Sequence, residues 1–151
     1  MRRSNLRVCL GDCFAPAGLA MTLSGLEQFL DALASADAIP GGGSSAALAG
    51  AMAAGLVGMV CRVTMKNPPA SETDALNRVI NRADELRGEL MTLIELDGES
   101  YRRVLQAYKT KQPEAIHSAL VYATEIPMRT GMLCGEILTL AARIAPIARR
   151  S

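Results

Sequence analysis

Apolar residues recur along this chain at helical spacing, and one stretch is apolar with no spacing at all. Leu26, Phe29, Leu30 and Leu33 fall at i, i+3, i+4 and i+7, one face of a short helix. Ser24-Gly25-Leu26-Glu27 has a capping-box pattern, so this helix is expected to open at Leu26, run to about Ala36 and stop before Pro40. Residues 46–61 are then all apolar or glycine, with alanine commonest. A helix apolar on every side is buried on every side. A central helix over residues 44–65 is therefore expected, roughly 33 Å long, sheathed by other helices. Ala47, Ala51 and Gly55 would let neighbouring backbones come close. The run is shorter than the about 20 apolar residues of a membrane span, and alanine argues against a strand. Asn67-Pro68-Pro69 stops it.

A third helix is expected over residues 72–109, opened by Ser71-Glu72-Thr73-Asp74. Leu76, Ala83, Leu90, Asp97 and Val104 repeat every seven residues. A second row holds Ile80, Ile94, Tyr101 and Tyr108, interrupted by Arg87, while Val79, Leu86 and Leu93 widen the stripe. This is the patterning of a helix bundle. Pro113 suits a first helical turn. A fourth helix follows to about Ile126, with Ile116, Ala119, Leu120 and Ala123 on one face. Pro127 is expected to kink or break it. The pattern then resumes with Leu133, Ile137, Leu138, Ala141 and Ile144 until Pro146. No segment reads as a strand, so the fold class is all-α: long helices bundled around a central Ala/Gly-rich helix.

Residues 1–20 differ from the rest and read as a loosely attached N-terminal arm, with residues 21–151 as one helical-bundle domain. Arg2, Arg3 and Arg7 precede a short apolar run, but Gly11-Asp12 breaks it before the roughly 7–15 residues a signal peptide needs. The net charge is +1 with both signs mixed, and there is no Trp. Neither an electrostatic footprint nor stacking platforms for nucleic acid are present. The cysteines at 9, 13, 61 and 134 have neither zinc-ligand nor disulfide-framework spacing, which points to a reducing cytoplasm.

Three features carry candidate chemistry. Pro40-Gly41-Gly42-Gly43-Ser44 lies just before the central helix, whose first N–H groups are unpaired and carry partial positive charge. Glycines there let an anion reach the backbone; a flexible linker with Ser44 as N-cap is the competing reading. Asp97 occupies an inward position, where a carboxylate costs several kcal/mol unless it is paired. It is either a functional group, or a buried structural hydrogen bond, or a residue that a local twist beside Gly98 exposes. Arg62 and Lys66, one turn apart at the far end of the central helix, either complement its dipole or hold an anionic tail. His117, beside an apolar face, reads as a surface residue.

The segments Phe29-Leu30-Asp31-Ala32-Leu33-Ala34-Ser35, Pro40-Gly41-Gly42-Gly43-Ser44 and the alanine-rich helix after them resemble the formiminotransferase-cyclodeaminase C-terminal domain family. The likeness runs more loosely through Asp97, Tyr101 and Ala123-Thr124-Glu125-Ile126-Pro127, and covers residues 21–146. It implies an all-α homodimer with one-carbon tetrahydrofolate chemistry: a formimidoyltetrahydrofolate cyclodeaminase or a methenyltetrahydrofolate cyclohydrolase. It implies no metal and no tightly bound cofactor, with a tetrahydrofolate derivative as substrate and no nucleic-acid or membrane partner. On this reading Asp97 is the acid/base, Gly41, Gly42, Gly43 and Ser44 receive an anionic or oxyanion group, and Arg62 and Lys66 attract the carboxylate tail. Two departures from the family stand out. The chain reads Thr64-Met65-Lys66-Asn67-Pro68 where a Gly-Lys pair is usual. It also reaches Ser151 without the Gly-Asn and Ser-Asp segment and further helix, so the resemblance is C-terminally shortened. The alternatives are an inactive helical dimer module binding a small anion, and a structural oligomer without ligand. In each, dimer formation is expected to cover the flank of the central helix that the shortened chain leaves open.

Overall fold

A computed structural model of the chain describes residues 17–68 and 71–148, with side chains placed from residue 25 onward. The described residues form helices and connecting turns, with no strand among them. In order, the helices are α1 (Ala17–Ala34), α2 (Gly42–Thr64), α3 (Thr73–Thr110) and α4 (Pro113–Ala148). The chain divides into two units, one ending at Asp37 and one beginning at Ala38.

The first unit contributes α1. It is already helical at Ala17, so Ser24 lies inside the helix and does not cap it. The residues ahead of Leu26 include Ala, Leu and Met, strong helix formers that carry the helix past the local capping signal. It ends at Ala34, before Pro40 acts. There the Ser35 hydroxyl donates to the Ala32 carbonyl (2.8 Å) and accepts from the Asp37 N–H (3.0 Å). The expected arm lies mostly outside the described residues, although 17–20 belong to this helix.

The second unit packs α2, α3 and α4 against one another in all three pairings. Its core joins Ala47, Ala51, Ala54, Val57 and Cys61 of α2 with the Leu76, Ala83, Leu90 row of α3. The wider stripe of Val79, Leu86 and Leu93 belongs to that core as well. Ile80 and Ile94 are only half-buried, and Tyr101 and Tyr108 are exposed, so the second predicted row is the rim of the interface. Ile126, Leu133, Ile137, Leu140 and Ile144 complete the core from α4. Close approach of α2 to its neighbours occurs at Gly50 more than at Gly55. A Cβ on Gly50 would lie 2.7 Å from Cys134 Sγ. Burial pushes the Cys61 thiol pKa up, and Arg62 opposes this.

The capping signals are used differently from expectation. The N-cap residues of α2 and α3 are Gly41 and Glu72, and neither has a side-chain cap bond. Between α3 and α4 the chain turns in two residues, with Lys111 in the left-handed region at φ 56°. Pro127 and Pro146 both lie within a continuous α4. Each removes an N–H donor from the helix, and packing of the flanking apolar residues on α2 and α3 holds the helix together across that gap.

The largest departure concerns α2. Its core face is covered, but Met52, Leu56, Met59 and Val63 are each more than half exposed on the opposite face. Within this unit α3 and α4 enclose only one side of an all-apolar rod. Its 23 residues and mean hydropathy of 1.8 also reach what a membrane crossing requires by length and composition, as do those of α4. The argument from the shorter apolar run therefore does not hold by itself.

An ion-pair network ties α3 to α4. Arg82 makes a two-pronged contact with Glu136, Nε to Oε1 at 2.6 Å and Nη2 to Oε2 at 2.8 Å, and reaches Glu85 at 2.8 Å. Arg129 returns from α4 to Glu89 at 2.9 Å. Hydrogen bonding to Arg82 holds the Glu136 carboxyl below its ordinary pKa. A depressed carboxylate contributes stability that is complete above its unfolded value and is lost as pH falls through the folded value. Because these side chains are 33% and 40% exposed, solvent screening limits the effect. Arg82→Ala is expected to lower stability at neutral pH by about 0.5–1 kcal/mol. It should also flatten the acid-side decline, as read by denaturant unfolding across pH.

Candidate active site

Asp97 sits midway along α3, and its carboxylate reaches the start of α2. Oδ2 accepts the Ser44 backbone N–H at 2.8 Å, and the Ser44 hydroxyl lies 2.9 Å from the same oxygen. That hydroxyl is also 3.1 Å from the Ile94 carbonyl. Ser44 is 1% exposed. A charged acceptor at a helix N-terminus satisfies an otherwise unpaired donor and complements the partial positive charge. Asp97 therefore caps α2 from another helix, the role that the linker reading gave to Ser44. Its other oxygen, Oδ1, has no hydrogen-bond partner among the described residues.

The glycines explain how the carboxylate fits. A Cβ on Gly43 would lie 2.0 Å from Asp97 Oδ1 and 2.5 Å from Cγ, so only a bare Cα leaves room. One position further along α3, a Cβ on Gly98 would fall 2.9 Å from Ile39 Cγ2. Gly98 thus lets the segment leading into α2 lie directly on α3. The alternative in which Gly98 twists Asp97 out to solvent does not occur: Gly98 is buried and Asp97 half-buried.

A pocket of about 370 Å³ opens here. Its walls include Gly41, Gly42 and Gly43 at the end of α2, Asp97 and Tyr101 on α3, and Leu120 on α4. Ser100 also lines it, and its hydroxyl is held by the Asp97 carbonyl at 2.7 Å. Ala123 forms part of the α4 wall. Its carbonyl lost its usual i+4 donor when Pro127 replaced an N–H. The pocket thus offers one unpaired carboxylate oxygen, glycine backbone at a helix start, a phenol and an apolar wall.

The structure brings Asp97 and residues 41–44, singled out separately in the sequence, together at one place. The sequence reading did not single out Tyr101, Ser100, Leu120 or Ala123. Tyr101 had a signal, because it lies four residues after Asp97 and so on the same helix face. Arg62 and Lys66 are not brought to this pocket. Arg62 lies about 27 Å along α2 from Ser44 and is bonded to Asp84 at 2.5 Å. Lys66 is exposed just beyond the end of α2.

Comparison with known proteins gives a consistent picture. A family model described as formiminotransferase-cyclodeaminase matches residues 25–151. Over 130 residues the chain is 37% identical to a methenyltetrahydrofolate cyclohydrolase from Methylorubrum extorquens, covering 80% of this chain and 62% of that protein. The crystal structure of formiminotetrahydrofolate cyclodeaminase from Thermotoga maritima matches with a TM-score of 0.77 at 28% identity. That match covers 81% of this chain and 62% of the other. The chain therefore spans under two thirds of the length of both relatives.

Proposed function

Since the chain belongs to the formiminotransferase-cyclodeaminase family, we propose that it acts on C–N bonds of one-carbon tetrahydrofolate derivatives, as a methenyltetrahydrofolate cyclohydrolase or a formimidoyltetrahydrofolate cyclodeaminase. The observation that carries this reading is the half-anchored Asp97 carboxylate in a glycine-walled pocket, within a chain similar to proteins of both names.

In the cyclohydrolase direction, water adds to the methenyl carbon while Asp97 Oδ1 takes its proton. The carbon–nitrogen bond then breaks as the ring nitrogen recovers that proton and the carbinol hydroxyl loses its own to solvent, which gives formyltetrahydrofolate and one released proton. In the cyclodeaminase direction, a folate nitrogen attacks the carbon of the protonated formimino group and gives its proton to the same oxygen. Asp97 then passes that proton to the amino group, which leaves as ammonia as the methenyl carbon–nitrogen double bond forms. One carboxylate acts as base and then as acid, as general catalysis requires. Anchoring Oδ2 on Ser44 fixes the direction in which Oδ1 points. Backbone N–H groups at the start of α2 face oxygen atoms of the substrate, and Tyr101 and Leu120 flank its ring system. Neither direction draws on a metal or a tightly bound cofactor. We also propose that the protein works as a cytoplasmic homodimer, with a second copy covering the exposed face of α2.

The test follows methenyltetrahydrofolate absorbance. Faster loss of the chromophore with purified protein identifies the cyclohydrolase. Its appearance from formiminotetrahydrofolate identifies the cyclodeaminase. No change in either assay overturns the reading and leaves the inactive module, which the engagement of Asp97 as a helix cap would fit.

A further inference from the structure

A groove of about 560 Å³ runs between the start of α3 and the end of α4. Its floor is apolar, with Val79, Leu140 and Ile144 all buried. Its rim carries Arg78 and Arg82 from α3 and Glu136 and Arg143 from α4. Val79 lies about 27 Å along α3 from Asp97, so the groove is separate from the glycine-walled pocket. We infer that it binds an organic acid of medium length, with the carboxylate held by Arg78 and Arg143 and the alkyl or aryl body laid on Val79, Leu140 and Ile144.

The inner rung of the groove shows what its rim can do. Arg82 donates to Glu136 through two bonds, Nε to Oε1 and Nη2 to Oε2, and is also bonded to Glu85. This is a guanidinium fork on a carboxylate, the geometry that makes arginine selective for such groups. Arg78 repeats Arg82 one turn earlier on the same face of α3. On α4, however, the residue one turn beyond Glu136 is Leu140, and the next rim residue is Arg143. The second rung thus has two arginines beside an apolar floor, where the first has an arginine and an acid. Neither Arg78 nor Arg143 has an ion pair among the described residues, and Asp74, the acid one turn before Arg78, pairs with neither.

Charge and shape together select the ligand. Like charges on one groove repel, and a carboxylate between them removes the repulsion and gains charge-assisted bonds. The apolar floor lowers the local dielectric and strengthens those bonds. The volume lies within the range of small-molecule pockets, about 300–1,000 Å³. Inorganic phosphate would use the arginines and leave the floor bare, whereas an alcohol of the same length would use the floor and leave the arginines unpaired. An amphipathic carboxylate uses both. Occupancy of this groove is independent of the folate chemistry at Asp97.

Titration calorimetry of the full chain with octanoate, octanol, octylamine and inorganic phosphate at low ionic strength tests this. Octanoate is expected to bind more tightly than each of the other three by about tenfold or more, the size of a lost charge-assisted hydrogen bond. Arg78→Gln and Arg143→Gln should each weaken octanoate by a similar factor. Both side chains are exposed and without ion pairs, so their replacement should leave circular dichroism and Tm as in the wild type. Leu105→Gln, at an exposed apolar position near the other end of α3, should bind octanoate as the wild type does. Octanol binding as tightly as octanoate means an apolar cleft without acid recognition and overturns the inference. Phosphate binding as tightly means a cationic rim that makes no use of the floor, and overturns it too. Octanoate binding that survives both arginine substitutions, or is lost in Leu105→Gln, places the ligand elsewhere and overturns it. So does octanoate that gives neither heat nor a rise in Tm at millimolar concentration.

Discussion

Asp97→Asn is expected to reduce turnover by about 10²–10⁴-fold, the usual contribution of a positioned acid/base, while the protein stays folded. The structure explains why the two effects separate. Oδ2 is spent on Ser44, at 2.8 Å from its N–H and 2.9 Å from its hydroxyl. An amide oxygen can accept both bonds in the same place. What the amide cannot do is take up a proton at the position of Oδ1. The loss of charge at the start of α2 should cost about 0.3–1 kcal/mol. Thermal unfolding and steady-state kinetics on one preparation check this. Full turnover combined with a markedly lower Tm would assign Asp97 to capping alone. Asp97→Ala supplies the contrast, since it removes acid/base and cap together and should lose stability as well as activity.

Gly43→Ala is expected to damage both folding and activity, against ordinary helix propensity. In a helix, alanine is usually better than glycine by about 0.8–1 kcal/mol. Here the added carbon would sit 2.0 Å from Asp97 Oδ1, so the carboxylate must leave or the first turn of α2 must open. Either movement breaks hydrogen bonds to a charged acceptor, each worth about 1.5–3 kcal/mol. A net loss of about 2–4 kcal/mol is expected. Gly42→Ala is the control, because a Cβ there meets nothing within 4 Å. Urea unfolding of the pair should show Gly42→Ala near or above wild type and Gly43→Ala far below it. Equal behaviour of the two would mean that the carboxylate does not depend on the bare Cα of Gly43.

Much of this protein can be read from periodicity. The seven-residue row through Leu76, Ala83 and Leu90 announced a bundle helix, and these residues are its core at 1%, 1% and 0% exposure. Asp97 stood out because it broke that row, and the triple glycine because it preceded an alanine-rich helix. The structure sets those two anomalies side by side, with the Ser44 N–H 2.8 Å from Asp97 Oδ2. Other features were out of reach. Nothing near Gly98 in the chain says that Ile39 will rest on it, and Pro127, expected to kink or break a helix, lies inside a continuous α4.

The sequence by itself determined that the chain is built of helices, which residues face inward on α3, and that a misplaced carboxylate and a glycine run needed explanation. These are local matters, set by spacing within one helix and by the backbone freedom of single residues. Only the tertiary structure decided that Asp97 closes the end of a helix 53 residues away, that Arg62 is held by Asp84, and that one face of α2 stays open. Those outcomes depend on how helices are rotated and slid against each other. Packing of many side chains at once sets that rotation and register, and no single stretch of chain encodes it.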